Sequence, residues 1–187
     1  MVAVTIYLTA LFGYKKAVSA CDDYVRPDPG TMHTIAFASS ADIAVVCMRA
    51  AYSPFASSEE RIGPLKVLAS LFAQRRDFAF AAYALDELVV LQGADPAHRV
   101  SRGYLRVRTG KYDAAVRDYD AAFEIGLPTT HDAGVVHMMR GAAQYDAGRP
   151  EKALEDYTAA VRLLDPRSAE SKVAQFAVER LRQERGR

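Results

Sequence analysis

Apolar residues recur at intervals of three and four along most of the chain, and runs that alternate apolar and polar residues are rare. The first spacing places apolar side chains on one face of an α-helix, whereas strict alternation would indicate a β-strand. Glycine and proline fall mostly between the apolar runs, where they end helices. The pattern predicts an all-α chain in which short turns join amphipathic helices.

Two segments of this pattern are copies of one another. They read TGKYDAAVRDYDAAFEIGLP (109–128) and AGRPEKALEDYTAAVRLLDP (147–166), and we call the interval from Ala115 to Ala153 the repeat period. A weaker third copy precedes them, in which Ala81 corresponds to Ala115 at a slightly shorter interval and Arg76 replaces the turn glycine. Each copy is preceded by a further helical segment, so the repeated unit is helix, turn, helix. Such units recur because one unit buries its apolar face only against a neighbour.

The repeated residues have a recognisable order. A small residue and glycine lie in the first helix, a glycine forms the turn, and Ala, an aromatic and Ala follow in the second helix. This order resembles the tetratricopeptide repeat (TPR) family, in the form with Arg-Gly in the first helix that we expect of a bacterial protein. The signature residues are Ala81, Gly103, Gly110, Ala115, Tyr119, Ala122, Gly141, Gly148, Ala153, Tyr157 and Ala160.

The resemblance implies a short α-solenoid of about three helix-turn-helix units, with an N-terminal helical half-repeat and a C-terminal capping helix. We expect a signal-like or first helical segment at 1–20, and an extension at 21–61 whose degenerate half-repeat helix spans about 40–52. Three TPR units are expected within 62–166, at about 62–95, 96–128 and 130–165. Residues 167–187 are expected to form the capping helix, with Val173, Phe176 and Leu181 on one stripe, and a basic tail.

Two charged pairs recur inside the repeats. Arg102 precedes Asp118, and Arg140 precedes Asp156 at the same spacing. In the first unit both charges are absent together, since Leu68 and Ala84 stand in their places. We therefore predict that each arginine pairs with its aspartate across the two helices of one unit.

Charge and motifs favour no catalytic or nucleic-acid function. The net charge is +1, which does not predict a nucleic-acid surface. The stretch from Gly103 to Lys111 has six residues between its glycines where a phosphate loop has four. The histidines lack a metal-binding spacing, and His98 and His137 are expected to be partly exposed helix residues. We predict no enzyme activity, no cofactor and no metal site.

The N-terminal residues leave the compartment open. An uncharged apolar run precedes Cys21, as in a signal peptide or a bacterial lipoprotein, but Lys15 and Lys16 interrupt it before the cleavage position. Export would make the protein periplasmic, secreted or anchored to a membrane through a lipid on Cys21, and otherwise it would be cytoplasmic. In an oxidising compartment Cys21 and Cys47 could pair, whereas in the cytoplasm Cys47 would be a small buried side chain.

The resemblance also implies a function, which is to bind a protein or peptide partner on the concave face that first helices form. Tyr104 and Tyr145 could alternatively serve only to pack neighbouring helices. A chaperone carboxylate clamp is not expected, because only one of its basic positions is kept. The alternative function is structural, through self-association or membrane tethering. The expected concave-face residues are Lys66, Ser70, Tyr104, Arg108, Met138 and Tyr145.

Overall fold

The computed structural model describes residues 13, 15–17, 21 and 40–186. Between residues 40 and 186 all regular secondary structure is α-helical, and the eight helices are joined by turns or short loops. The helices are α1 (Ser40–Ala51), α2 (Ser58–Gln74), α3 (Phe78–Leu91), α4 (Pro96–Arg108), α5 (Tyr112–Ile125), α6 (Thr130–Asp146), α7 (Pro150–Leu163) and α8 (Ala169–Arg185).

The chain divides into two compact units, Met1–Gln92 and Gly93–Arg187. In the first unit α2 packs between α1 and α3. In the second unit each helix from α4 to α8 packs against the next one. This order of packing is that of a helical array, and the predicted all-α fold class is confirmed.

The turn inside each helix pair needs a left-handed residue. Gly110 and Gly148 have φ values of 73° and 75°, a region that costs side-chain-bearing residues about 1–2 kcal/mol. In the first unit Arg76 adopts φ 61° at the same point, and it has the only positive φ among the described residues other than glycine. The backbone conformation of the turn is therefore kept even where the glycine is not.

Arg76→Gly is expected to raise the free energy of unfolding by about 0.5–1 kcal/mol. The substitution removes the left-handed cost, and the larger entropy of glycine in the unfolded chain offsets part of that gain. Gly110→Ala should lower stability by about 1–2 kcal/mol, because an added Cβ there meets no atom within 4 Å and only the backbone is strained. Urea unfolding measures both changes.

The control for this pair is Arg75→Gly. Arg75 is the preceding residue and has an ordinary right-handed φ of −76°, so glycine there should only destabilise. If Arg76→Gly and Arg75→Gly had the same effect, the conformation of the turn would not be the cause.

Side-chain caps mark several helix starts. The Asp95 carboxylate accepts a hydrogen bond from the Ala97 amide, and Pro96 occupies the first turn of α4. Asp165 and Pro166 form the same dipeptide, but they do not begin the last helix. The Asp165 carboxylate instead accepts from the Arg167 amide and closes a turn, while Ser168 caps α8. The helix starts later because the serine satisfies the amide of Ser171.

Small residues let the two helices of a unit approach closely. A Cβ added to Gly103 of α4 would lie 2.7 Å from Cε1 of Tyr119 in α5. At Gly141 of α6 it would lie 3.2–3.3 Å from atoms of α7. Tyr119 is buried, and desolvation raises the pKa of its hydroxyl, so the phenol is neutral at physiological pH. The tyrosine ring thus fills the space that the glycine leaves open.

A disulfide joins Cys21 to Cys47 of α1, with both side chains buried. The Cα atoms are 5.3 Å apart. The sulfur of Cys21 is therefore engaged inside the first unit and is not free to carry the lipid of the tethering alternative. A disulfide is typical of an oxidising compartment.

Candidate partner-binding surface

The repeat period that separates Ala115 from Ala153 continues into α8. The buried positions of α4 match those of α6 and α8 at this interval, so the three helices present equivalent faces. The matching buried positions are His98, Val136 and Ala174, and Leu105, Ala143 and Leu181.

Two rows of exposed and partly buried side chains cross these three helices at the same interval. We call this surface the α4–α6–α8 face. Residues i, i+4 and i+7 or i+8 lie on one side of a helix. Arg108 of α4 therefore extends this face beyond Tyr104, and Tyr145 of α6 extends it beyond Met138. The rows consist of Val100, Met138 and Phe176, and of Tyr104, Ala142 and Arg180.

The aromatic residues of the face differ in how open they are. Tyr104 is 46% exposed and Phe176 is 67% exposed. Tyr145 is partly buried against the core between α7 and α8, and the guanidinium of Arg180 lies 4.5 Å from its ring centroid. Tyr145 thus packs between helices, as in the alternative interpretation of these tyrosines, whereas about half of Tyr104 is open to solvent.

The expectation that Val173, Phe176 and Leu181 lie on one stripe of the last helix is wrong. Val173 and Phe176 are exposed, while Leu181 is buried beside α7 together with Ala174 and Ala177. The register explains the difference, because Phe176 corresponds to Met138 of the exposed row. Glu179 is exposed and stands where α4 and α6 have Gly103 and Gly141, so a second helix could not approach α8 as α5 approaches α4.

The helix arrangement is similar to that of a solved domain. The TPR domain of Arabidopsis OM64 superposes with a TM-score of 0.58, covering 68% of this chain and 98% of that chain at 22% sequence identity. The chain has a TPR-like fold. No family model and no curated protein matches it. The likeness extends to the fold alone, and it confirms the architecture expected from the repeats.

Lys66 and Ser70, also expected on the concave face, lie in the first unit of the TPR-like chain. Both are exposed on α2, and the Ser70 hydroxyl accepts a hydrogen bond of 3.4 Å from the side-chain amide of Gln74. They are one helical turn apart and share a face with each other.

A buried carboxylate joins the two helices of the first TPR-like pair in the second unit. Asp118 of α5 is 3% exposed, and its Oδ1 lies 2.6 Å from Nη2 of Arg102 in α4. Nε of Arg102 donates to the other oxygen at 3.0 Å, so the contact is bidentate. Arg106, one turn further on, also reaches Oδ2 of Asp118, at 2.8 Å. One buried charge is thus held by two arginines.

The next helix pair, α6 and α7, has the same arginine–aspartate contact, but a different residue supports the aspartate. Nη2 of Arg140 lies 2.7 Å from Oδ1 of Asp156, and Nδ1 of His137 lies 2.9 Å from the same oxygen. Nη1 of Arg140 also reaches Asp120 of α5, at 2.6 Å, and its guanidinium lies 4.8 Å from the ring centroid of Phe123. Arg140 therefore links α6 to both of its neighbours.

The electrostatics of Asp156 follow from this arrangement. Burial alone would raise the pKa of the carboxyl, but the hydrogen bonds from His137 and Arg140, together with their charges, outweigh burial and leave the pKa below its usual value. Asp156 is accordingly an anion at neutral pH. Desolvation would lower the pKa of Arg140, and its two carboxylate partners raise it instead.

Arg106 and His137 are the supporting residues that sequence reasoning missed. They carry no repeat signal, because the residues one repeat period away from them are Gln144 and Arg99. His98, expected to be partly exposed, is buried, with Nε2 3.5 Å from the Asp95 carboxylate.

Within the described part of the chain, no group of three or more His, Cys, Asp or Glu side chains is placed to hold a metal ion. Nor does any helix there combine the length and apolar character of a membrane-crossing segment.

Proposed function

We propose that the protein is a non-catalytic interaction module and that the α4–α6–α8 face binds a segment of a partner protein. The observation that carries the proposal is the exposure of Tyr104 and Phe176 on a face built from equivalent helices. Large aromatic side chains open to water are costly to leave uncovered, and side by side with arginines they are typical of protein interfaces.

The face favours an apolar, amphipathic partner over a strongly charged one. Arg108 and Arg180 supply positive charge, but Asp146 and Glu184 follow Arg108 at one and two repeat periods. Nε of Arg180 is 3.6 Å from Glu184, so its charge is partly met within the chain. The charges thus balance, and the aromatic and aliphatic rows supply the contact area for an extended peptide or a helix.

Part of this surface is already ordered before a partner binds. Arg180 lies against the Tyr145 ring, and Val135 and Met138 pack against the core between α7 and α8. Side chains held in place lose less rotational entropy on binding, which favours affinity. Phe176 and Tyr104 project from this ordered base and are the anchors we expect to matter most.

Random peptides displayed on phage and selected on the full chain provide the probe. Fluorescence anisotropy of the selected peptides should show affinity reduced at least about tenfold for Tyr104→Ala and for Phe176→Ala, since truncating an aromatic anchor commonly costs about 2 kcal/mol or more. The affinity should change little with salt, because the charges of the face balance.

Ile125→Ala is the matched control. Ile125 is an exposed apolar residue of α5 in the same unit, but it lies outside the rows of the face. Peptides that bind Tyr104→Ala and Phe176→Ala as tightly as the unchanged protein, or that lose affinity only on Ile125→Ala, would place binding elsewhere and contradict the proposal.

A further inference from the structure

The first unit has an apolar surface of its own. Val45 and Met48 of α1 and Tyr52, the residue after it, are exposed at i, i+3 and i+7. The Tyr52 amide donates to the Met48 carbonyl as in a further helical residue, so the three side chains form one stripe. On α3 a second stripe contains Phe80, Tyr83 and Val90, all exposed. Val90 is 82% exposed, the highest value among the large apolar residues described. These six residues are called the α1/α3 face.

The two stripes meet at a pair of tyrosines. The rings of Tyr52 and Tyr83 have centroids 6.0 Å apart, and the guanidinium of Arg61 lies 5.9 Å from the Tyr52 centroid. Burial, followed by the charges of Tyr83 and Glu87, raises the pKa of Tyr52 to about 12, so this hydroxyl is neutral at physiological pH. The centre of the face is therefore aromatic and uncharged.

Arg61 of α2 holds this centre in place. Its Nε donates to the carbonyl oxygen of Ala51 at the end of α1, at 2.8 Å. Its Nη2 lies 2.5 Å from Oε2 of Glu87 in α3. One side chain of α2 thus links α1 to α3. At the N-terminal end of the α3 stripe, the Phe80 ring stacks on Phe72 of α2 with centroids 5.3 Å apart.

The size and composition of the face match one half of a protein–protein interface. An aromatic side chain presents about 150–250 Å² when fully exposed, so the six residues together leave roughly 500–600 Å² of apolar surface open. A standard interface buries about 800 Å² on each partner, and homodimer interfaces are about 65% apolar. The α1/α3 face would supply that apolar fraction.

The composition of the face favours a second copy of this chain as the partner. Both stripes are apolar, and the charged residues beside them are mixed in sign, since Asp42 and Arg49 are both exposed on α1 and Asp86 is exposed on α3. A two-fold axis that sets α1 of one copy against α3 of another covers both stripes of each copy, and the net charge of +1 gives little repulsion between copies.

We propose that the α1/α3 face is an isologous interface between two copies of this chain. It lies in the first unit, whereas the partner-binding face lies in the second, so one copy does not depend on α4, α6 or α8 to meet the other. Dimerisation would then present two partner-binding faces in one assembly, which raises the avidity for a partner that carries two segments.

Sedimentation equilibrium of the full chain tests the interface. We expect the mass to approach twice 20.5 kDa as the concentration rises from about 1 to about 200 µM. Val90→Glu should weaken the dimer at least tenfold, because a carboxylate would enter the apolar contact. Val90 is so exposed that the substitution should leave the folded monomer intact, which circular dichroism checks.

A second substitution tests the two-fold arrangement. Val45→Glu on α1 should weaken the dimer as Val90→Glu on α3 does, because the two-fold axis sets α1 of one copy against α3 of the other. Val173→Glu, which adds the same charge to an exposed valine of α8, is the control and should leave the mass unchanged.

Three results would overturn the proposal. One is a single species of monomer mass at every concentration. Another is a dimer that Val173→Glu dissociates as readily as Val90→Glu does. The third is a monomer that Val90→Glu destabilises, because the face would then be covered by a segment of the same chain.

Discussion

Replacing Asp118 by alanine is expected to lower the free energy of unfolding by about 3–5 kcal/mol. The carboxylate is buried and neutralises both Arg102, at 2.6 Å, and Arg106, at 2.8 Å. Without it, two mostly buried guanidinium groups lose their counter-charge while they remain inside the protein. Since a domain is typically stable by only about 5–15 kcal/mol, chemical denaturation should show a large shift of the midpoint.

The chain itself provides the control for this experiment. The first unit has Leu68 and Ala84 at the positions of Arg102 and Asp118, and both are buried. The double variant Arg102→Leu/Asp118→Ala copies that arrangement and should recover at least half of the stability that Asp118→Ala loses, since one uncompensated charge is removed and apolar packing replaces it. If the double variant is no more stable than Asp118→Ala, the loss does not come from the Arg102 charge that the single substitution leaves behind.

The repeated elements could be predicted because they are written more than once. Gly110 and Gly148, and Ala115 and Ala153, define the unit by their identity at a fixed interval, and the turns and helix pairs follow from it. The left-handed turn at Arg76 was accessible from the same alignment, although the residue alone would not indicate it. Comparison of the copies thus locates turns and helix pairs that one segment alone would not reveal.

The last helix could not be predicted in this way, because it lacks most of the repeated residues. Glu179 and Val178 stand at the positions of Gly141 and Arg140, so α8 lacks both signature and ion pair. Only the burial of Ala174 and Leu181 shows that α8 has the same register as α4 and α6. The sequence therefore predicted a helix there, but it assigned Phe176 to the wrong side and missed the α8 residues of the candidate surface.

The supporting contacts of the buried aspartates could not be predicted for a related reason. Arg106 approaches Asp118 from one turn after Arg102, whereas His137 approaches Asp156 from one turn before Arg140. The two solutions differ in residue type and in direction along the helix, so comparison of the copies does not reveal either. They satisfy the same physical need, a second donor for a carboxylate removed from water.

Replacing Tyr119 by alanine is expected to cost about 3–5 kcal/mol, because it empties the space between α4 and α5 that the ring fills. Tyr119 is 1% exposed, and its ring lies against Gly103. Gly103→Ala alone should also destabilise, by about 1–2 kcal/mol, since its Cβ would lie 2.7 Å from Cε1 of the ring.

The two substitutions should not be additive. Once Tyr119 is alanine, the added Cβ of Gly103→Ala no longer meets the ring, and alanine is the better residue in a helix by up to about 1 kcal/mol. We therefore expect Gly103→Ala to stabilise the Tyr119→Ala protein, with a coupling energy of about 1–3 kcal/mol in a double-mutant cycle measured by urea unfolding.

The same experiment on Gly141 and Tyr157 of the next helix pair tests whether the stabilisation comes from the lost contact or from the higher helix propensity of alanine. A Cβ at Gly141 would lie 3.3 Å from the backbone oxygen of Ala153 as well as near the Tyr157 ring. Removing the ring by Tyr157→Ala leaves that oxygen in place, so Gly141→Ala should remain unfavourable in that background. Equal rescue in both pairs would mean that the stabilisation comes from the helix propensity of alanine and not from relief of the glycine–tyrosine contact.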